Sequence, residues 1–330
     1  MFITTYPRQL RNTLAGLAAL IFTAAQPVDA CTWFRFLSDQ QHCFIGRTME
    51  WPGDLHAEMA RVPRGHDFGS FRTKHGFVGI SHDGIFSDGL NEHGLAISAL
   101  WLGESKYPAK TADARPITDL LPLVLGSAKT VDEALAAIKA TSFYGVTSNL
   151  APGLEITLHY AITDAGGRSV VVEFLDGKNV VTENKVGAMT NDPNYAQQME
   201  VWSKYDPSKF DEGTFQAFDY SPEGRFSRMA AINATQAKVP DDIAAVNRAW
   251  SMVNTVDIPQ GILYWRWVND RPQFTSYSVV GDLQNRIYYF RTYNNYDIRK
   301  VALQEIDFAK TTYQVDTLFT PANYQEFRFK

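Results

Sequence analysis

A cysteine stands at position 31, in the stretch PVDACTWFRF from Pro27 to Phe36, directly after a segment built like an export signal. Arg8 and Arg11 precede an apolar run from Leu14 to Ala25, and small residues follow at Val28 and Ala30. A signal peptidase reads that succession of basic, apolar and small-residue regions. The run is shorter than the roughly 20 apolar residues a membrane span requires, so residues 1–30 are expected to be a cleaved signal peptide, with no stable membrane insertion. Cleavage after Ala30 puts a thiol and a free α-amine on one residue. The amine, with an ordinary pKa of about 7.7–8.0 against about 8.5 for a thiol, can take the thiol proton and later return it to a leaving amine. Cys31 would then be both nucleophile and base, which leaves only oxyanion donors to complete the cleavage of an amide.

Other chemistry is poorly represented. The seven histidines are scattered, and G-x-S-x-G, S-x-x-K and H-E-x-x-H motifs are absent. No motif implies a cofactor or a metal. Val28-Asp29-Ala30-Cys31 also partly resembles a lipoprotein processing site, which would make Cys31 the acylated anchor of a ligand-binding surface protein without catalysis. Against that second reading stand Asp29 and the absence of a polar tether, because Thr32-Trp33-Phe34-Arg35-Phe36 runs straight into strand-like sequence.

The bulk composition narrows the function further. The 330 residues are 45% hydrophobic and 13% aromatic, ample for a filled core. The net charge is -5, and loss of Arg8, Arg11 and Asp29 with the first thirty residues would take it to -6. No basic excess exists to replace counterions on a phosphate chain, so nucleic acid is not expected as a partner. A small-molecule substrate is. The chain has two cysteines, Cys31 and Cys43. CTWFRFL and HCFIGRTM read as a hairpin around Ser38-Asp39-Gln40-Gln41, with Cys43 opposite Arg35 or Phe36. Four or five strand residues, roughly 13–17 Å, would separate the sulfurs, too far for a disulfide.

The elements that must position Cys31 alternate in blocks. Strands are expected at 77–81 and 94–100, in ITLHYAIT and SVVVEFLD about a turn at 164–168, near Thr190, and at 274–280 and 286–292. Thr130-Val131-Asp132-Glu133 has the form of a capping box and predicts a short amphipathic helix. Further helices are expected over 224–237 and 241–253, the last burying Ile243, Val246, Trp250 and Val253. Antiparallel hairpins interrupted by helix pairs predict an α+β architecture, and no Pro-, Gly- or Ser-rich linker divides residues 31–330, which are expected to form a single catalytic domain.

Five pieces, CTWFRF, GRTMEW, DGLNEHGLAISALWL, AMTNDP and GRFSR, resemble in order and spacing the choloylglycine hydrolases. These are N-terminal nucleophile hydrolases that include penicillin V acylases and conjugated bile salt hydrolases, and the resemblance runs from Cys31 to about Tyr293. It implies a four-layer αββα sandwich. It also implies that Cys31 is the nucleophile, that Arg47 stands beside it and favours thiolate, and that Asn191 and the Trp101 backbone hold the oxyanion. Arg225 matches an active-site arginine. Glu50 stands where the family commonly has an aspartate that hydrogen-bonds the nucleophile's amine. Trp101 replaces asparagine or tyrosine, and with Trp51 and Trp33 it is expected to wall the substrate pocket. The implied enzyme hydrolyses linear amides with an aromatic or acyl group, most like the Gram-negative penicillin V acylases, with N-acyl homoserine lactones as a further substrate class and conjugated bile salts as the alternative. A periplasmic or secreted location follows from the signal, and the family is often homotetrameric, although no interface can be read from the sequence.

Overall fold

The computed structural model describes residues 31–53, 55–148, 153–235, 238–265, 271–326 and 328–329, so the expected signal peptide lies outside the described residues. The strands in chain order are β1 (Thr32–Leu37), β2 (Cys43–Pro52), β3 (Glu58–Val62), β4 (Phe77–His82), β5 (Ile85–Asn91), β6 (Ala96–Trp101), the short parallel pair β7 (Arg115–Pro116) and β8 (Phe143–Tyr144), β9 (Leu158–Thr163), β10 (Ser169–Leu175), β11 (Lys178–Glu183), β12 (Ala188–Met189), β13 (Leu263–Trp265), β14 (Arg271–Asp282), β15 (Ile287–Thr292), β16 (Asn295–Ala302) and β17 (Gln314–Thr317). The helices are α1 (Leu120–Ser127), α2 (Val131–Lys139), α3 (Tyr195–Trp202), α4 (Glu212–Gln216), α5 (Pro222–Ala234) and α6 (Asp242–Asn254).

Two antiparallel sheets stack face to face. One runs β12-β1-β2-β14-β15-β16, with β13 also pairing β14; the other runs β11-β10-β9-β6-β5-β4-β3-β17. Alternation along the strands fixes the layers, since successive side chains point to opposite faces. In β10, Val171 joins the core between the sheets, while Val170 and Val172 pack on the far side in the cluster that contains α1 and α2. Helices α5 and α6 cover the outer face of the first sheet, α5 against β1 and β12 and α6 against β2 and β14. The result is the expected α+β sandwich of four layers, αββα. Close approach within the first sheet depends on Gly46, where a Cβ would come within 2.2 Å of the Phe34 ring.

Local chemistry explains most element boundaries. Thr130 caps α2 by accepting a hydrogen bond from Glu133 N (3.3 Å), but the Glu133 carboxylate receives Lys129 N (2.8 Å) in place of the reciprocal bond of a full capping box. Ser221 caps α5, with Pro222 in its first turn. Two expectations are corrected, and one strand goes unannounced. The hairpin register sets Cys43 opposite Leu37, not Arg35 or Phe36, because β1 runs to Leu37 and the turn is correspondingly tighter. This moves Cys43 still farther from Cys31, and both cysteines are free. In α6 the buried face is Ala245, Ala249, Trp250, Met252 and Val253, whereas Ile243 is 76% exposed; the alanines let the helix lie close on β2 and β14. Finally, β5 had no apolar run to announce it. Its buried Ser87, Asp88 and Asn91 are satisfied by tertiary partners.

Candidate active site

Cys31 immediately precedes β1, and its Sγ lies 3.7 Å from Met49 Sδ on the neighbouring strand. Both residues line a cleft of about 700 Å³ together with Arg47, Glu50, Trp51, Trp101 and Asn191. The cleft opens between the sheets, because its other walls come from β4 to β6 and from the segment Leu154–Leu158. Strand β2 sits between β1 and β14 and is buried on nearly every residue. A charged side chain there must be paired or neutralised.

Arg47 is fully buried and meets that demand by donating to Ser87 O (3.1 Å), Ala99 O (2.9 Å) and Tyr277 Oη (2.8 Å). Asp88 lies 3.8 Å away and receives hydrogen bonds from Ser98 and Tyr288. Arg47 thus bolts the two sheets together beside the thiol. Arg47 pulls the Cys31 thiol toward thiolate, but it does not prevail. Burial is the largest influence on Cys31 and pushes its thiol above the ordinary value, with Arg47 and Arg225 only opposing that rise. A neutral thiol needs a base, and among the residues lining the cleft the ionisable candidates are Glu50 and His82. Burial raises the Glu50 carboxyl to about 8, and its oxygens already accept from Thr48 and Thr275 hydroxyls. Burial lowers His82 to about 4.

Asn191 and Arg225 come from distant chain segments. Asn191 follows β12 in a turn held by Gln198 of α3, whose Nε2 donates to Asn191 O and Pro193 O, both at 2.6 Å. Asn191 Nδ2 donates to Trp101 O (3.1 Å), while Asn191 Oδ1 accepts from Arg225 (3.3 Å). A guanidinium can only donate, so Arg225 fixes which end of the amide faces the cleft and leaves its second N–H available. The same guanidinium donates to Thr32 Oγ1 (2.7 Å) and to the carbonyl of Cys31. Ordinary helix chemistry would have left an arginine in the first turns of α5 in solvent, yet it is completely buried.

Trp101 ends β6 opposite Leu158 of β9, and Leu102 N donates to Thr157 O (3.1 Å). Antiparallel residues alternate in which side their peptide groups face, so the N–H and C=O of Trp101 both point away from β9, toward Asn191. The pairing of β5 with β6 stops at Asp88 and Ser98, so no strand takes the Trp101 edge. The Trp101 N–H therefore lies on the same open edge as the Trp101 carbonyl that Asn191 Nδ2 reaches. Trp51 and Trp101 are half-buried in the cleft wall, but Trp33 is not part of it. Flanked by Arg47 of β2 and Met189 of β12, Trp33 is 1% exposed in the core, which corrects its assignment to the pocket. Sequence reasoning missed Gln198, Met49 and His82. A glutamine seven residues after Asn191 and a histidine closing a strand carry no signal without the tertiary contacts.

Among the described residues one cluster has metal-ligand geometry, His75, Glu92 and His93, away from the cleft. Its Glu92 carboxylate is already taken by Arg64 and by Gly76 N, and His93 Nε2 lies 3.0 Å from His75 Nδ1.

Residues 31–317 match the family of linear amide C–N hydrolases, choloylglycine hydrolase family, and the chain belongs to that family. It is an enzyme class that acts on non-peptide carbon–nitrogen bonds. The penicillin V acylase of Pectobacterium atrosepticum is 27% identical over 337 residues, covering 92% of this chain and 89% of that protein. A penicillin V acylase structure from Agrobacterium tumefaciens is 26% identical, with a TM-score of 0.69 over 87% of this chain and 91% of its own. A variant of the conjugated bile acid hydrolase from Clostridium perfringens shares the fold at 21% identity, with a TM-score of 0.78 over 90% of this chain and 100% of its own.

Proposed function

We propose that the chain is an exported acylase of the penicillin V acylase type whose nucleophile is Cys31, bared as the N-terminal residue when residues 1–30 are removed. The observation that carries this reading is a buried thiol in a largely apolar cleft that Asn191 and Trp101 also line, where the Glu50 carboxyl is already engaged by the Thr48 and Thr275 hydroxyls. An α-amine on Cys31 itself would supply a base. In the proposed reaction it takes the thiol proton as sulfur attacks the amide carbonyl. The Asn191 amide and the Trp101 N–H hold the oxyanion, and the amine leaves with the returned proton. Water then attacks the thioester, releases the acid and restores the thiol. Arg225 orients Asn191 and Arg47 braces the floor. Trp51 and Trp101 wall the acyl group, and residues 31–330 act as one catalytic domain. Two features support this role for Cys31: the family match begins at that residue, and the segment before it has the layout of an export signal.

A second reading concerns the amine half of the substrate. A neighbouring cleft shares Trp101 and Leu154 and is rimmed by Glu104, Glu155 and Asp192. An amine portion lying there meets three carboxyl groups. Like charges repel at such distances, which favours an uncharged homoserine lactone over the carboxylate-bearing amines of penicillin V or of conjugated bile salts. Intact-mass analysis of the exported protein, paired with kcat/KM for penicillin V, an N-acyl homoserine lactone and glycocholate, tests both readings. The mass should begin at Cys31 without a lipid adduct, one of the first two substrates should exceed glycocholate by at least about tenfold, a difference of roughly 1.4 kcal/mol, and on the second reading the lactone should also exceed penicillin V. A diacylglyceryl cysteine, or preference for glycocholate, would overturn the proposal.

A further inference from the structure

His82 is the last residue of β4 and part of the cleft wall that contains Cys31. It is 8% exposed, and among the described residues neither of its ring nitrogens has a hydrogen-bond partner. Its ring packs against Trp51, with centroids 6.1 Å apart and planes tilted by 33°. The cleft that it borders is lined also by Trp51, Ile85, Phe86, Ile156 and Leu158, side chains that offer an apolar surface. Burial and the charge of Arg47 both disfavour the imidazolium, so the group is a neutral imidazole, with one N–H donor and one lone-pair acceptor. Buried polar groups are almost always satisfied, and an exception in a binding cleft calls for a reason.

We propose that His82 recognises a hydrogen-bonding oxygen within the acyl group, so that the cleft selects acyl chains carrying an ether or keto oxygen over hydrocarbon chains of the same shape. The inference rests on the reading of this cleft as the acyl site. A neutral imidazole donates from its N–H to such an oxygen, and the surrounding apolar wall excludes water that would compete for it. A plain methylene at that place leaves the imidazole unpaired, which is how a polar site rejects an isostere lacking the partner atom. Trp51 holds one face of the ring, limiting the directions in which the nitrogens can point.

Two isosteric pairs test this. Penicillin V is compared with its 3-phenylpropanoyl analogue, which replaces the ether oxygen by CH2, and N-(3-oxooctanoyl)-homoserine lactone with N-octanoyl-homoserine lactone. Each is measured as kcat/KM on the processed enzyme and as Kd on its Cys31→Ala variant, followed by tryptophan fluorescence. In at least one pair the oxygenated member should be favoured by about tenfold in Kd, the size of one hydrogen bond to a buried partner. His82→Leu should bring that ratio near one, and His82→Gln, which can still donate, should restore a few-fold preference. The ether also alters the reactivity of its carbonyl, so the change in ratio between wild type and variant is the deciding quantity. Equal Kd values within both wild-type pairs, or an unchanged ratio in His82→Leu, would overturn the role of His82. Absence of turnover with a preserved Kd preference would sink the acylase reading and leave His82 as the recognition residue.

Discussion

The hairpin of β1 and β2 carries a cysteine near each end, and their surroundings could hardly differ more. Cys43, at the turn end opposite Leu37, is wholly buried, and burial pushes its thiol up to about 12. The charge of Arg35 opposes that rise only in part. Cys31, at the open end, is also buried and also raised, yet it borders a cleft, two arginines and an amide donor. Burial by itself makes an inert thiol. What separates the two ends is access to a substrate-sized space and a set of polar groups brought from β5, β6, the turn after β12 and α5.

That contrast can be broken in several ways. The largest effect is expected from Cys31→Ala, which should lower kcat/KM by at least about 10³-fold, while Cys43→Ala should stay within about threefold and lose roughly 1–2 kcal/mol of stability. Comparable losses of activity in the two variants would erase the distinction. Next comes Asn191→Ala, for which a fall in kcat of about 10²–10³ is expected at saturating substrate; a change confined to KM would remove it from the oxyanion site. A smaller effect should appear in stability against pH. The folded-state pKa of His82 is depressed from an ordinary 6.5 to about 4, so stability linked to it is present above pH 6.5 and is lost as pH falls toward about 4, where the unfolded chain binds a proton that the folded one refuses. Denaturant titrations between those pH values should show a shallower decline for His82→Leu than for wild type. Parallel curves would mean that the ring is solvated and cannot play its proposed part at the open end.

The α+β class and three of the helices, α2, α5 and α6, were legible because amphipathic periodicity and caps report on which face a segment buries, whereas the four layers came from the resemblance. Thr130 and the run from Val131 to Ile138 are an instance. The site was legible only through resemblance. Nothing in the spacing of Arg47, Asn191 and Arg225 tells that they converge, since their proximity depends on a sheet order in which β1 lies between β2 and β12. Strand β5 went unread for the same reason, as its polar residues look solvated until Arg47 and Tyr288 cross the sandwich to meet them. Trp33 misled in the opposite sense. Close in sequence to the thiol, its side chain is nonetheless packed into the core and lines no part of the cleft.

Arg225 grips the Cys31 carbonyl with one nitrogen and the Asn191 side chain with another. Were Cys31 the chain end, as proposed, it would ordinarily fray, and this contact would tether it through its first peptide unit to a helix. In the proposed reaction the attacking residue and the oxyanion donor would then hang from one planar fork, so that a displacement of either would draw the other with it.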